Sequence, residues 1–150
     1  MFNREESRQI RELFWTSFGK SFPHKWTMHH TKIKGLAFKF HADRKTAMVC
    51  LDVDLENELD RMLQWDKLES VKAILENDFL PEVIYDNDYY LKDGDKTICR
   101  IYVKHEQKFS IHNKDTWRDC YEFFVAKMEK FETFFEDYKD FIEVKPEEKN

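Results

Sequence analysis

The sequence predicts a single α+β domain, with helix, hairpin, helix, hairpin and helix in that order and the two hairpins joined in one four-stranded antiparallel sheet. Three observations predict it. Apolar residues recur at spacings of three and four in three segments and alternate with polar ones in two pairs of segments, each pair separated by a short polar turn. A chain of 150 residues has the length of one ordinary domain and buries roughly 70% of its unfolded surface on folding. Its 41% hydrophobic and 16% aromatic residues outweigh chain entropy, which disordered chains fail to do. The 14 phenylalanines make the expected core aromatic, and a sheet with one apolar face needs the helices to cover it.

Asn3 and Glu6 have the spacing of a helix N-cap with an acidic residue at the third helical position. Ile10, Leu13, Phe14, Ser17 and Phe18 then share one face, which predicts a helix over residues 4–18, ended by Gly19 and Pro23. Leu36, Phe38 and Phe40 alternate with Ala37, Lys39 and His41; after the polar turn at Asp43–Lys45, Val49, Leu51 and Val53 alternate again. Helical spacing returns with Leu55, Leu59, Met62 and Leu63. Asp66 falls where an apolar residue is due, and Val71, Ile74 and Leu75 lie on a rotated face. That helix therefore bends near Trp65 or is buried on two sides, and Pro81 ends it. Val83 to Leu91 and Thr97 to Val103, joined through an Asp-Gly turn in KDGDK, form the second hairpin. After Asn113, Trp117, Tyr121, Phe124, Met128, Phe131, Phe135, Tyr138 and Ile142 make a continuous seam along a long helix. Phe123, Phe134 and Phe141 lie beside that seam and are the candidate interface for a partner, a second copy first of all. Residues 1–145 read as the domain and 146–150 as a frayed tail.

The opening MFNREESRQI has no apolar run, and nowhere do about 18 apolar residues occur together, so a soluble cytoplasmic protein without membrane contact is expected. Cys50, Cys99 and Cys120 are odd in number, far apart and set among apolar neighbours, which suits reduced core thiols. A net charge of -5 argues against a general polyanion binder, but the charge is segregated. Between Lys20 and Lys45 stand Lys20, Lys25, Lys32, Lys34, Lys39, Arg44 and Lys45 against Asp43 alone; Asp52, Asp54, Glu56, Glu58 and Asp60 follow with no base among them.

Recognised catalytic motifs are missing. Gly19, Gly35 and Gly94 are too far apart for a phosphate-cradling loop, and neither a Gly-x-Ser-x-Gly elbow nor a His-Glu-x-x-His pair occurs. No cofactor and no metal are expected: the adjacent His29 and His30 would point to opposite faces of a strand, and zinc would need His24 and His41 from an irregular loop as well. Asp52 and Asp54 end a strand but lack the neighbouring Glu-x-Lys or Asp-x-Lys of a metal-dependent nuclease; at a helix start they also complement the helix dipole. Arg100 alternates with apolar residues, so it either pairs with an acid on the next strand or presents its guanidinium to an anion. The stretch FPHKWTMHHTKIKG, Phe22 to Gly35, has two readings. It is a connection whose lysines neutralise the acids after the second strand, or a surface on which Lys25, Lys32, Lys34, Lys39, Arg44 and Lys45 meet phosphates while Trp26 stacks on an unpaired base.

The segments FNREESRQIRELFWTSFGKSF, FKFHADRKTA, KTICRIYV and FSIHNKDTW resemble the small bacterial family catalogued as domain of unknown function 4268, in its short stand-alone form. The likeness covers about residues 2–142. Its most specific pieces are Phe14-Trp15 with Phe18-Gly19, Ala42-Asp43-x-Lys45 and Arg100-Ile101-Tyr102. Relatives carry Trp-x-Trp and Asp-Trp-Pro where this chain has Val83-x-Tyr85 and Asp115-Thr116-Trp117. The resemblance implies an association with nucleic-acid transactions, since longer relatives join the domain to a restriction-nuclease-like one; it implies no activity. The leading expectation is a non-catalytic interaction or self-association module. A nucleic-acid-binding accessory protein comes second and a divergent metal-dependent nuclease third.

Overall fold

The computed structural model describes residues 2–148. Helix α1 (Arg4–Ser21) starts as the capping spacing predicts: the Asn3 side chain accepts the Glu6 N–H at 2.8 Å, and the Glu6 carboxylate accepts the Asn3 N–H at 3.2 Å. It runs through Gly19 to Ser21, about one turn beyond the expected end, with Phe22 as its cap. A glycine inside a helix costs only about 1 kcal/mol, too little to stop it before Pro23.

Strands β1 (Leu36–Ala42) and β2 (Ala47–Val53) form the first hairpin, and β3 (Ile84–Leu91) and β4 (Lys96–Lys104) the second. They make one antiparallel sheet in the order β1-β2-β4-β3, so β2 and β4 are central and β1 and β3 are edges. Between the hairpins lie α2 (Glu58–Ser70) and α3 (Lys72–Asp78), and α4 (Trp117–Ile142) closes the domain. The predicted irregularity in the second helical segment is real but sits at Val71, whose N–H bonds back to Leu68 and Glu69 before α3 begins. Asp66 stays exposed within α2, so the helix continues past the polar residue with Trp65 and Leu68 turned inward.

Alternation decides the two sheet faces. Ala47, Val49, Leu51 and Val53 of β2, with Cys99, Ile101 and Val103 of β4 and Leu36 and Phe38 of β1, lie in one core with the α4 seam. Phe38 meets Phe131 and Phe135 at ring-centroid distances of 5.9 and 5.6 Å, Phe18 of α1 meets Phe40 and Phe124 at 5.2 and 5.4 Å, and Trp65 of α2 meets Tyr85 at 5.6 Å. Met48, Cys50 and Asp52 point to the opposite face yet are also buried. A register shift between Asp86 and Tyr89 in β3 accounts for this. It carries Tyr89 over its neighbours: the ring centroid is 4.4 Å from the Arg100 guanidinium and 5.6 Å from that of Tyr102, and its hydroxyl is 4.0 Å from the Met48 sulfur.

The three cysteines are free and buried, and burial pushes the Cys50 and Cys120 thiols up to about 12. Part of the predicted frayed tail, residues 149–150, lies outside the described residues; Pro146–Glu148 form a short 3-10 turn tied down by Glu148 to Lys67 at 2.8 Å.

His105 continues β4 beyond its last residue and is only 8% exposed, with its ring 4.7 Å from Phe123 and its Nε2 without a hydrogen-bond partner among the described residues. Burial holds its pKa below the ordinary 6.5, against the opposing pull of Asp119. The unfolded chain therefore takes up this proton more readily than the folded one, and stability falls as pH drops through 6.5 toward the lower folded value. Urea midpoints measured between pH 8 and pH 5 should fall less for His105→Phe than for the wild type; parallel curves would show that His105 does not carry the dependence.

Candidate functional site

The stretch from Phe22 to Gly35 is built as two halves. In the first, the chain keeps to the helices: the Thr27 N–H donates to the Glu132 carboxylate at 2.6 Å, and Trp26 packs on His24 and edge-on to Phe40 at 4.1 and 5.7 Å. Met28, at φ 45°, then turns the chain alongside β1, where its C=O accepts the Phe38 N–H at 3.0 Å. Buried Thr31 pins the second half, its Oγ1 donating to the Leu36 C=O at 2.7 Å and accepting the Ile33 N–H at 3.1 Å. Gly35, at φ 77°, completes the approach; its backbone lies in the left-handed region that favours glycine, and a Cβ there would press on the Leu55 side chain. The result is a fixed rim along the sheet edge from which His29, Lys32 and Lys34 project beside Lys39 of β1.

These four side chains line a cavity of about 490 Å³ together with Asp52 and Asp54. The acids are already matched. Asp52 takes a two-pronged hydrogen-bonded pair from Arg100, at 2.7 and 2.8 Å, and Asp54 takes Lys96 at 2.7 Å. Neither of these two acids is paired with a lysine of the loop, while Lys32 and Lys34 also line a smaller cavity with Asp60 and Glu143. Lys25, Lys32, Lys34, Lys39, Arg44 and Lys45 have no ion-pair partner among the described residues. At the far end of β1, Asp43 is consumed by its own turn. It accepts from the Lys45 and Thr46 N–H groups at 2.8 and 2.7 Å and from the Thr46 hydroxyl at 2.9 Å, and His41 Nε2 lies at 2.8 Å. These partners hold its carboxyl at about 2 against the opposing effect of burial, leaving Arg44 and Lys45 free to face solvent.

Lys39 also lines a second cavity, of about 830 Å³, with Arg11, Trp15, Arg44, His112 and Phe2 among its walls. The basic residues thus follow the β1 edge for roughly 20 Å, the length of a seven-residue strand. Two of the predicted residues do not join them. Lys25 and Trp26 belong to the helix-side half of the loop, and Trp26, half-buried against Phe40, lines neither cavity. Arg11 and His112 were not singled out from the sequence, and His29 was weighed there only as a metal ligand. Arg11 reads there as one more exposed helix cation, and only the fold brings it to β1.

Arg100 is 2% exposed, stands directly opposite Asp52 in the register and is covered by Tyr89. Its guanidinium is a structural pair with no face for an anion. The same pair takes Asp52 away from metal ligation, and among the described residues no three His, Cys, Asp or Glu side chains come together as a metal site. The aromatic interface expected on α4 is also reduced. Phe134 is 0% exposed, packed on Phe79 and Tyr138 at 5.6 and 5.7 Å, because the chain leaving α3 covers that side of α4. Phe123 is half-buried against His105, and Phe141 alone of the three is open, at 65%.

A family model described as "Domain of unknown function (DUF4268)" matches residues 10–139. Nothing among the curated proteins and nothing among the solved structures matches the chain. Among the described residues, no helix is long and apolar enough to cross a membrane.

Proposed function

The chain belongs to the DUF4268 family, a domain of unknown function, and we propose that it is a non-catalytic binding module that engages nucleic-acid phosphates along the β1 edge. The observation that carries this reading is the convergence of Lys32, Lys34 and Lys39 on one cavity without ion-pair partners among the described residues, while the two acids of that cavity, Asp52 and Asp54, are taken by Arg100 and Lys96. A local basic edge on an acidic protein supports binding without making the whole surface attractive to polyanions. Self-association through α4 has less support than the sequence suggested, since Phe134 is buried and Phe141 is one ring. The link to nuclease systems implied by resemblance fits an accessory role, because Asp52 is committed to Arg100.

The test is anisotropy with a labelled oligonucleotide at several salt concentrations. Binding should weaken linearly in log affinity against log salt, and Lys32→Glu/Lys34→Glu should lower affinity at every salt and reduce the slope by about 1 to 2, each phosphate contact contributing about 0.7 on a single strand. Salt-insensitive binding, or an unchanged double variant, overturns the reading.

A further inference from the structure

Beyond Lys39 the β1 edge opens into the 830 Å³ cavity, and its walls differ from those of the first. Building on the phosphate-binding reading above, we propose that this cavity receives an unpaired base, so that the ligand is single-stranded nucleic acid with its backbone on the lysines and a base turned into the groove. The size lies in the range of roughly 300–1,000 Å³ that accepts groups as large as small molecules.

Three features support the assignment. The first is a set of flat rings beside the cations. Phe2 is 40% exposed and lies 4.6 Å from the His112 ring at an interplanar angle of 51°, with half-buried Trp15 on the same cavity. Burial, Arg44 and Arg11 all hold His112 below its ordinary pKa, so near neutral pH it is an uncharged ring. The second is the free backbone edge. The Phe38 N–H bonds outward to Met28, whereas the Asp43 N–H bonds inward to Thr46, so Phe40 and Ala42, sharing the parity of Phe38, aim their N–H and C=O groups away from β2. Among the described residues those groups of Phe40 and Ala42 have no hydrogen-bond partner, and they are available to the edge of a base. The third is the sign of the walls. Lys39, Arg44 and Arg11 are cationic, while Asp93 from the β3–β4 turn also lines the cavity. The carboxylate disfavours phosphate on its own side and leaves the backbone to the cations. Paired bases are shielded inside a duplex stack, so these rings and backbone groups can be used only by a strand whose bases are free.

The experiment compares full-length protein binding to labelled oligo-dT, to an abasic oligonucleotide of the same length and to a hairpin duplex, at one salt concentration. Oligo-dT should bind about tenfold more tightly than the abasic strand, within the range expected for stacking on a protein ring. Phe2→Ala/His112→Ala should bring oligo-dT down to the abasic level without changing abasic binding or the thermal midpoint. Lys32→Glu/Lys34→Glu should weaken both. Equal binding of oligo-dT and the abasic strand, or duplex binding as tight as single-strand binding, overturns the base site while leaving the phosphate reading intact. Loss of every oligonucleotide, with a polyglutamate peptide captured by the free strand edge instead, overturns both. If Phe2→Ala/His112→Ala alters the thermal midpoint, Phe2→Leu/His112→Gln replaces it, and undiminished oligo-dT binding in that variant counts equally against the proposal.

Discussion

Asp52→Ala is expected to destabilise the fold by about 3–5 kcal/mol, the cost of leaving a buried charge without its partner. Arg100 is 2% exposed and loses both carboxylate contacts, retaining the Tyr89 ring at 4.4 Å as its remaining close electrostatic partner. A cation–π contact of about 2 kcal/mol when desolvated does not replace a hydrogen-bonded pair. The double replacement Asp52→Leu/Arg100→Met should cost far less than either single change, because it removes both charges and fills the space with apolar groups. Urea denaturation of the two single variants and the double variant measures this directly, provided the slopes agree. Single variants within about 1 kcal/mol of wild type would mean that water reaches the pair, and Arg100 would again be a candidate for anion binding.

That pair illustrates how much of the molecule was legible in the chain. Alternation identified β4 and placed Arg100 between apolar neighbours, and a charge in that position predicts a partner across the ladder. The partner itself depends on β2 pairing with β4, a contact between hairpins set by side-chain packing rather than by any local signal. The bulge that brings Tyr89 over the guanidinium was equally hidden, since Asp86 to Tyr89 reads locally as polar residues within a strand. Local chemistry was more informative at the Asn3 cap, at the Asp43 turn and along the α4 seam, where the groups that interact lie within four residues of each other or follow one period.

The candidate site divides in the same way. Lys32, Lys34 and Lys39 are close in sequence, and the strand that follows them keeps them together. Their availability could not be read, because whether a lysine meets Asp54 depends on Lys96, which is 42 residues away from that acid. The position of Trp26 was hidden for a related reason: the turn at Met28 lies between it and Lys32 and Lys34, and its ring packs on Phe40. The sheet's far side, which no helix was expected to cover, is closed over β2 by Tyr89 and the ion pair beneath it. The β1 edge, by contrast, keeps backbone groups and cations accessible.

Phe134→Ala should cost about 3–5 kcal/mol, whereas Phe141→Ala should stay within about 0.5 kcal/mol of wild type. The two phenylalanines are seven residues apart on α4, a spacing that puts them on nearly the same helix face, and sequence pattern alone treats them alike. Packing separates them. Phe134 is enclosed by Phe79 and Tyr138, and truncation leaves a cavity that this aromatic layer fills only by moving. Phe141 touches Tyr138 at a centroid distance of 6.2 Å and is otherwise open to solvent, so little packing is lost with its ring. The comparison also controls any test of self-association: a Phe134 variant that loses dimers does so by losing its fold, and only Phe141→Ala reports on the surface. Thermal midpoints read alongside sedimentation velocity would separate the two effects. Equal stability losses at both positions would mean that the covering of Phe134 by the chain after α3 contributes nothing to holding α4 in place.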